Sequence, residues 1–236
     1  MRQFKIILHV FALLLVFQTI GYSQTTCPAP SINAQAGTGP STTICSGLCA
    51  NLTATVVPVN STTSYSVAAI PYAPFAYVGG TSPVGPVDDV WSNVLNIGFN
   101  FCYFGNNFNQ LLVGTNGEIT FSTANATLGE NFTVNNILPN LTEHPGNTIC
   151  GSYRDIDPSV GGIVRTYTTG VAPCRKFVAY WSNVPLYSCN NPQSTFQIVL
   201  HESSNIIDIN IQNSSACLIW QNGKGLIGIQ NAAGTT

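Results

Sequence analysis

Residues 172–231, APCRKFVAYWSNVPLYSCNNPQSTFQIVLHESSNIIDINIQNSSACLIWQNGKGLIGIQN, contain four runs typical of β-strands. In the first three runs an apolar residue recurs at every second position: Phe177, Ala179 and Trp181, then Phe196, Ile198 and Leu200, then Ile207, Ile209 and Ile211. A period of two places each set on one face of a pleated sheet. The stretch therefore predicts antiparallel β-structure with one buried side, and the short polar turn at residues 202–205 is typical of a hairpin loop.

Further runs of strand pattern lie upstream, separated by turns rich in Gly, Asn and Pro. Residues 65–70 predict a strand, residues 94–104 a longer one, and residues 111–121 a hairpin around Asn116 and Gly117, the strongest short-range turn signal. No segment has a sustained helical period. About ten short strands favour an all-β fold, an antiparallel β-sandwich of jelly-roll type.

The first 23 residues have the pattern of a cleaved signal peptide. Arg2 and Lys5 precede an apolar run over residues 6–20, and the small residues Gly21 and Ser23 predict cleavage near Ser23. The run is short for a transmembrane anchor and lacks a basic flank after it. We expect residues 24–63 to form an N-terminal arm or a partial immunoglobulin-like segment, and residues 64–236 to form the sandwich domain, because so short an N-terminal stretch cannot bury its own core.

Export makes the cysteines informative. All eight lie after the signal peptide: Cys27, Cys45, Cys49, Cys102, Cys150, Cys174, Cys189 and Cys217. An even number in an oxidising compartment favours disulfides, and we expect the thiols to be consumed in them. Cys189 and Cys217 flank a hairpin and are predicted to pair, while the partners of the other six stay open. The spacing shows no zinc motif, so a metal role for the thiols is not expected.

The chain carries few charges. Charged residues make up 7% of it, against about 25% in ordinary soluble domains. The whole chain has seven Lys and Arg residues and nine Asp and Glu residues. Loss of Arg2 and Lys5 with the signal peptide leaves 7 − 2 = 5 basic residues, so the net charge of the exported chain is near −4. No basic patch is present, which argues against nucleic acid as a partner.

Several phrases resemble one module of bacterial surface proteins. They are FNFCYFGNNF at 99–108, LLVGTNGEITF at 111–121, DIDPSVGG at 155–162, PCRKFVAYW at 173–181, STFQIVLHESSNIIDINIQN at 194–213 and GLIGIQNAAGT at 225–235. Together they resemble the β-rich domain near the start of large secreted proteins of the Bacteroidetes, many of them linked to gliding motility or adhesion. The phrase STFQIVL after a Trp-bearing strand is also similar to the nidogen-like extracellular domain.

The resemblance implies a secreted or cell-surface module without known catalysis, and it supplies no ligand-binding residues. Proteins of that kind usually continue into repeats and a C-terminal sorting signal for type IX secretion. This sequence stops at Thr236 directly after a strand pattern, so we expect it to be a fragment or a truncated product.

Catalytic signatures are sparse. After the signal peptide the histidines are His144, which precedes a proline in a loop, and His201, at the polar end of a strand. No Gly-x-Ser-x-Gly elbow occurs, and no pair of titratable groups is visibly arranged for acid–base work. We therefore expect the chain not to be an enzyme.

Asp155 and Asp157 are the candidate metal ligands. Followed closely by Pro158 and two glycines, they could present oxygen atoms to calcium, with Asp88 and Asp89 as more distant contributors. The alternative is that Asp155 and Asp157 only stabilise turns. No other cofactor is expected.

An aromatic loop offers a candidate contact surface. Tyr72, Phe75 and Tyr77 could stack on sugar rings, although aromatic residues on sandwich loops more often pack against the sheet. The expected function is a non-catalytic extracellular module for adhesion or surface assembly, with an extracellular protein or glycan as partner. The alternatives are a carbohydrate-binding module and a secreted hydrolase whose site the sequence does not reveal.

Overall fold

The computed structural model describes residues 61–236 and, before them, only the backbone of two strands. These are β1 (Ile32–Ala36) and β2 (Leu52–Val56), which pair in antiparallel fashion. The predicted signal peptide and, apart from these two strands and residues 61–63, the predicted arm lie outside the described residues.

Nine further strands form two antiparallel sheets. The five-stranded sheet has the order β11-β6-β5-β4-β3, with β3 at Leu95–Tyr103, β4 at Asn106–Val113, β5 at Glu118–Thr120, β6 at Thr148–Tyr153 and β11 at Leu226–Gln230. The four-stranded sheet has the order β10-β9-β8-β7, with β7 at Ile163–Thr169, β8 at Lys176–Pro185, β9 at Gln193–His201 and β10 at Ile207–Ser214. Most neighbours in each sheet are consecutive in sequence, and β11 crosses back to the first sheet.

One apolar core lies between the two sheets. It contains the alternating residues predicted for β8 and β9, together with Ile97, Phe101 and Ile119 from the opposite sheet. Trp181 stacks on Phe196 with ring centroids 4.8 Å apart. Because apolar residues at every second position face the opposite sheet, the predicted β-sandwich is confirmed.

Irregular segments cover the outer faces of both sheets. On the four-stranded sheet, Phe75 and Tyr77 pack against Val178, Tyr180 and Val199. On the five-stranded sheet, residues 123–147 lie over β5 and β6, whose residues are buried on both faces. The described part contains two three-residue 3₁₀ turns, Thr123–Asn125 and Gln221–Gly223, and no helix in it has the length and apolar character needed to cross a membrane.

The strand predicted at residues 65–70 is wrong. The segment has no regular secondary structure and pairs with no strand of the described chain, and Val67 and Ile70 are exposed to solvent. Tyr65 alone anchors it, against Tyr103 and Phe104. Local alternation had suggested a strand, but alternation cannot supply the neighbouring strand that a ladder requires.

The predicted disulfide between Cys189 and Cys217 is confirmed, with Cα atoms 5.8 Å apart. Cys174 is also disulfide-bonded, while the pairing of Cys27, Cys45 and Cys49 lies outside the described residues.

The expectation that every thiol is consumed is wrong for Cys102 and Cys150, which are free and buried. Cys102 lies on β3 and Cys150 on β6, and β4 and β5 run between them. Three strand spacings amount to about 14 Å, twice the Cα separation that a disulfide can span.

Candidate functional site

The turn between β4 and β5 organises the polar groups of the molecule. Asn116, buried in this turn, donates from its amide nitrogen to Glu130 Oε2 (2.9 Å) and from Nδ2 to Asp89 Oδ1 (2.8 Å). Its side-chain oxygen accepts from the Ile156 amide at 3.0 Å. Gly117 takes a positive φ of 97°, which glycine adopts without steric cost. The predicted hairpin turn is thus also the point where three distant segments meet.

Directly after this turn lies a buried polar cluster, which we define as Glu118, Glu130, His144 and Cys150. Glu118 on β5 is the register partner of Cys150 on β6, so the sheet itself places the carboxylate beside the thiol. His144 Nδ1 lies 2.7 Å from Glu118 Oε2, and Cys150 Sγ lies 3.5 Å from the same oxygen. One ligand-type atom from each of these three side chains lies within 4.8 Å of the others.

Burial controls the protonation of this cluster. It raises the pKa of Glu118, while the hydrogen bond from His144 acts in the opposite direction. Burial and then the charge of Glu118 hold the pKa of Glu130 well above its usual range. Burial, followed by the charge of Glu118, also raises the pKa of Cys150 well above that of a free thiol. Without a bound cation, burial therefore disfavours the thiolate, which is the nucleophilic form of cysteine.

A second, more exposed group lies on the other side of Asn116, and we call Asp88, Asp89 and Asp155 the acidic cluster. One carboxylate oxygen from each lies within 4.8 Å of the others. Burial and then the charges of Asp89, Asp157 and Asp155 raise the pKa of Asp88 to about 7. Burial raises the pKa of Asp155 to about 6, against the hydrogen bond that Trp220 Nε1 donates to its Oδ2 at 2.8 Å. These carboxylates lie close together because Asn116, in the turn between β4 and β5, bonds both Asp89 and the Ile156 amide next to Asp155.

Asp157 takes a different role from its predicted partner. Its Oδ1 accepts a hydrogen bond from the Ser159 amide at 2.8 Å, the turn-stabilising role given above as the alternative. The structure thus groups Asp155 with Asp88 and Asp89 rather than with Asp157. Calcium itself stays a prediction.

Next to the acidic cluster is an exposed surface that we call the apolar tip: Tyr187, Leu218, Ile219 and Trp220. Tyr187 and Trp220 meet edge to face with centroids 5.0 Å apart. Leu218 and Ile219 are 74% and 80% exposed. The Cys189–Cys217 disulfide ties the two segments that carry these residues. The tip is thus an exposed apolar surface on a covalently fixed base.

The aromatic loop packs mostly inward. Phe75 exchanges two hydrogen bonds of 2.9 Å with the Gln197 side chain, and Tyr77 meets Tyr180 edge to face. Tyr72 remains half-exposed. The interpretation of this loop as a cover for the sheet is confirmed for Phe75 and Tyr77.

The two histidines differ sharply in environment. His201 Nε2 bonds Asp208 Oδ2 at 2.7 Å near the surface, as expected for a polar strand end. His144, expected to lie in an ordinary loop, is instead buried against Glu118, and Tyr153 packs edge-on to its ring at 4.5 Å. The sequence showed no visible sign of this pair, because Glu118 and His144 are 26 positions apart and meet only where residues 123–147 fold over the sheet.

A family model described as NIDO related matches residues 64–236. The chain belongs to the NIDO-related family. No curated protein and no solved structure matches the chain. The similarity to nidogen-like domains is confirmed, and the chain is an extracellular module, whereas its resemblance to secreted Bacteroidetes proteins stays a prediction.

Sequence reasoning did not identify the buried cluster. Glu118 and Thr120 alternate with Ile119 and Phe121, a pattern that predicts a solvent-facing carboxylate. Nothing local reveals that a distant loop covers that face. The close spacing of His144 and Cys150 was the one available signal.

Proposed function

We propose that the chain is a non-catalytic module that binds an extracellular protein in cell-surface adhesion or surface assembly. The apolar tip carries this proposal. Large aliphatic residues exposed together on a rigid base, beside aromatic rings, have the composition of a protein-binding surface. The disulfide limits the conformational entropy that the tip loses on binding.

A protein fits this surface better than a glycan does. Sugar rings bind by stacking on exposed aromatic faces, whereas the most exposed residues of the tip, Leu218 and Ile219, are aliphatic. Phe75 and Tyr77, the other candidates for stacking, are engaged with the sheet. The aliphatic side chains instead suit an apolar pocket on a protein partner.

The titratable groups also favour binding over catalysis. Glu118, His144 and Cys150 are at most 1% exposed, so a substrate cannot reach them without displacing residues 123–147. His201 Nε2 is engaged by Asp208 Oδ2 at 2.7 Å. Acid–base catalysis requires such groups within reach of a bound substrate.

We further propose that calcium is the ion of this module and that the acidic cluster binds it. Asp155 is only 6% exposed, and its buried Oδ1 accepts no hydrogen bond from the described part of the chain. The charges acting on Asp88 are those of three other aspartates. Carboxylate oxygens are the ligands that calcium prefers, and Trp220 would hold Asp155 in place through its Oδ2.

Binding of the full chain to a panel of immobilised extracellular proteins and to a glycan array tests the proposed function. We expect saturable binding to a protein, reduced about tenfold or more by Leu218→Ser combined with Ile219→Ser, and no turnover on esterase, protease and glycosidase substrates.

Val171→Ser is the matched control, because Val171 is an equally exposed aliphatic residue at 81%. Val171 lies before β8, whereas Tyr187 of the apolar tip lies after β8. A ten-residue strand, about 33 Å long, separates the two sites. Unchanged binding by the double variant would contradict the role of the tip. Selective glycan binding would support the carbohydrate-binding alternative, and turnover would support the hydrolase.

A further inference from the structure

Three different metal-ligand types converge inside the buried polar cluster. A carboxylate oxygen of Glu118, a ring nitrogen of His144 and the sulfur of Cys150 lie within 4.8 Å of one another. They come from β5, from β6 and from the segment that covers them. The register of two paired strands fixes Glu118 opposite Cys150, so two of the three ligands are held by the sheet rather than by a loop.

The donor set selects one class of ion. Sulfur and imidazole nitrogen are ligands of zinc and related transition metals, whereas calcium and magnesium take oxygen. With metal–nitrogen and metal–sulfur bonds of about 2.0–2.3 Å, ligand atoms around zinc are about 3.3–3.8 Å apart. The 3.5 Å between Cys150 Sγ and Glu118 Oε2 already falls within that range, whereas the 2.7 Å between His144 Nδ1 and Glu118 Oε2 would lengthen on metal binding.

Some buried polar atoms of the cluster lack a hydrogen-bond partner in the described part of the chain. Glu118 Oε1, Glu130 Oε1 and His144 Nε2 are buried and have no hydrogen-bond partner among the residues that the structure describes. Two carboxyl groups are thus enclosed with a single imidazole. A buried carboxylate is costly unless it is paired with a cation or coordinates a metal.

We propose that Glu118, His144 and Cys150 bind a zinc-class divalent transition metal in a buried site, and that the Cys150 thiol releases its proton to solvent as the metal binds. The ion links β5 and β6 to the covering segment, and it stabilises the outer side of the five-stranded sheet as a metal-ligated core does. Loading occurs during folding, because the ligands are inaccessible once residues 123–147 are in place. This inference goes beyond the proposed function and does not depend on it.

Production of the full chain in cobalt-supplemented medium tests the site. Cobalt occupies zinc-type sites, and a thiolate ligand gives a charge-transfer band in the near ultraviolet. We expect about one cobalt ion per chain and that band, in protein whose Cys189–Cys217 disulfide and cooperative melting show that it is folded. Cys150→Ser should remove the band and lower the occupancy about tenfold or more, a loss at least as large as that from changing an outer-shell partner.

Cys102→Ser is the matched control, because Cys102 is the other free buried cysteine and lies on β3, away from the cluster. It should keep both the band and the metal. Glu118→Gln preserves shape and should lower occupancy without changing the thiol. Folded wild-type protein without bound metal would overturn the proposal, and this result does not depend on whether the variants fold. Metal retained unchanged by Cys150→Ser would overturn it as well.

Discussion

The buried polar cluster and the acidic cluster share one turn and differ in almost everything else. Asn116 donates to Glu130 in the first and to Asp89 in the second. In the first, a carboxylate, an imidazole and a thiol are enclosed and bond one another. In the second, two partly exposed aspartates and the buried Asp155 lie close together beside the apolar tip, and the charges acting on Asp88 have the same sign. We infer that the enclosed group serves the fold and the open group serves binding.

Removal of the Cys189–Cys217 disulfide is the largest perturbation of the open region. The bond joins residues 28 positions apart, so the chain-entropy model gives a loss of about 3.5 kcal/mol. The variant that combines Cys189→Ser with Cys217→Ser adds no free thiol to Cys102 and Cys150, and it should unfold at correspondingly lower urea concentration. A loss under about 1 kcal/mol would show that packing alone holds the tip.

His144→Leu perturbs the enclosed region. It leaves Glu118 buried without its main partner, and we expect the free energy of unfolding to fall by about 3 kcal/mol. His201→Leu is the control, since it breaks a similar bond to Asp208 nearer the surface and should cost less than about 1 kcal/mol. Equal losses in urea denaturation would erase the distinction between the two environments.

Calcium should act on the open region alone. Extracellular calcium modules bind with dissociation constants of about 0.1–1 mM, so about 10 mM calcium should stabilise the chain by about 1.5–2.5 kcal/mol relative to chelator. Asp155→Asn should abolish the gain, whereas Asp157→Asn should keep it, because Asp157 instead caps the turn at Ser159. Identical melting of the wild type in calcium and in chelator would contradict the site.

The smallest expected effect is a pH dependence of the acidic cluster in chelator. The pKa of Asp88 is about 7 in the folded chain and about 3.9 in the unfolded chain, so the folded state binds the proton more tightly. The resulting stabilisation is fully present below about pH 4 and is lost as pH rises through about 7. Solvent screening keeps it modest because Asp88 is partly exposed.

Asp88→Asn should remove this contribution, and the difference between its melting temperature and that of the wild type should change between pH 4 and 8. Parallel profiles for the two proteins would count against an electrostatically strained cluster.

The four-stranded sheet was predictable from sequence, whereas the buried cluster was not. Phe177, Ala179 and Trp181 face a core whose partner can be any apolar surface, so alternation alone identifies their face. The burial of Glu118 depends on residues 123–147, which lack periodicity. Its partners are thus set by tertiary contacts that no local pattern encodes.

The composition of the acidic cluster was only partly apparent from the sequence, and calcium binding there stays a prediction. Asp155 was identified from its loop, but proximity in sequence suggested Asp157 as its partner. The neighbours in the cluster, Asp88 and Asp89, lie 67 and 66 positions upstream of Asp155 and are brought close through Asn116, which bonds both Asp89 and the Ile156 amide. A hairpin turn that also joins distant segments cannot be recognised from its own residues.

The division between a structural interior and a binding surface is tested most directly by measuring partner binding and unfolding on the same two variants. Leu218→Ser combined with Ile219→Ser should lower binding to the protein panel about tenfold or more while changing the free energy of unfolding by less than about 0.5 kcal/mol. His144→Gln should lower the free energy of unfolding by about 1–3 kcal/mol and leave the binding of the folded fraction unchanged. The opposite pattern, with binding lost in His144→Gln and kept in the double variant, would contradict the account.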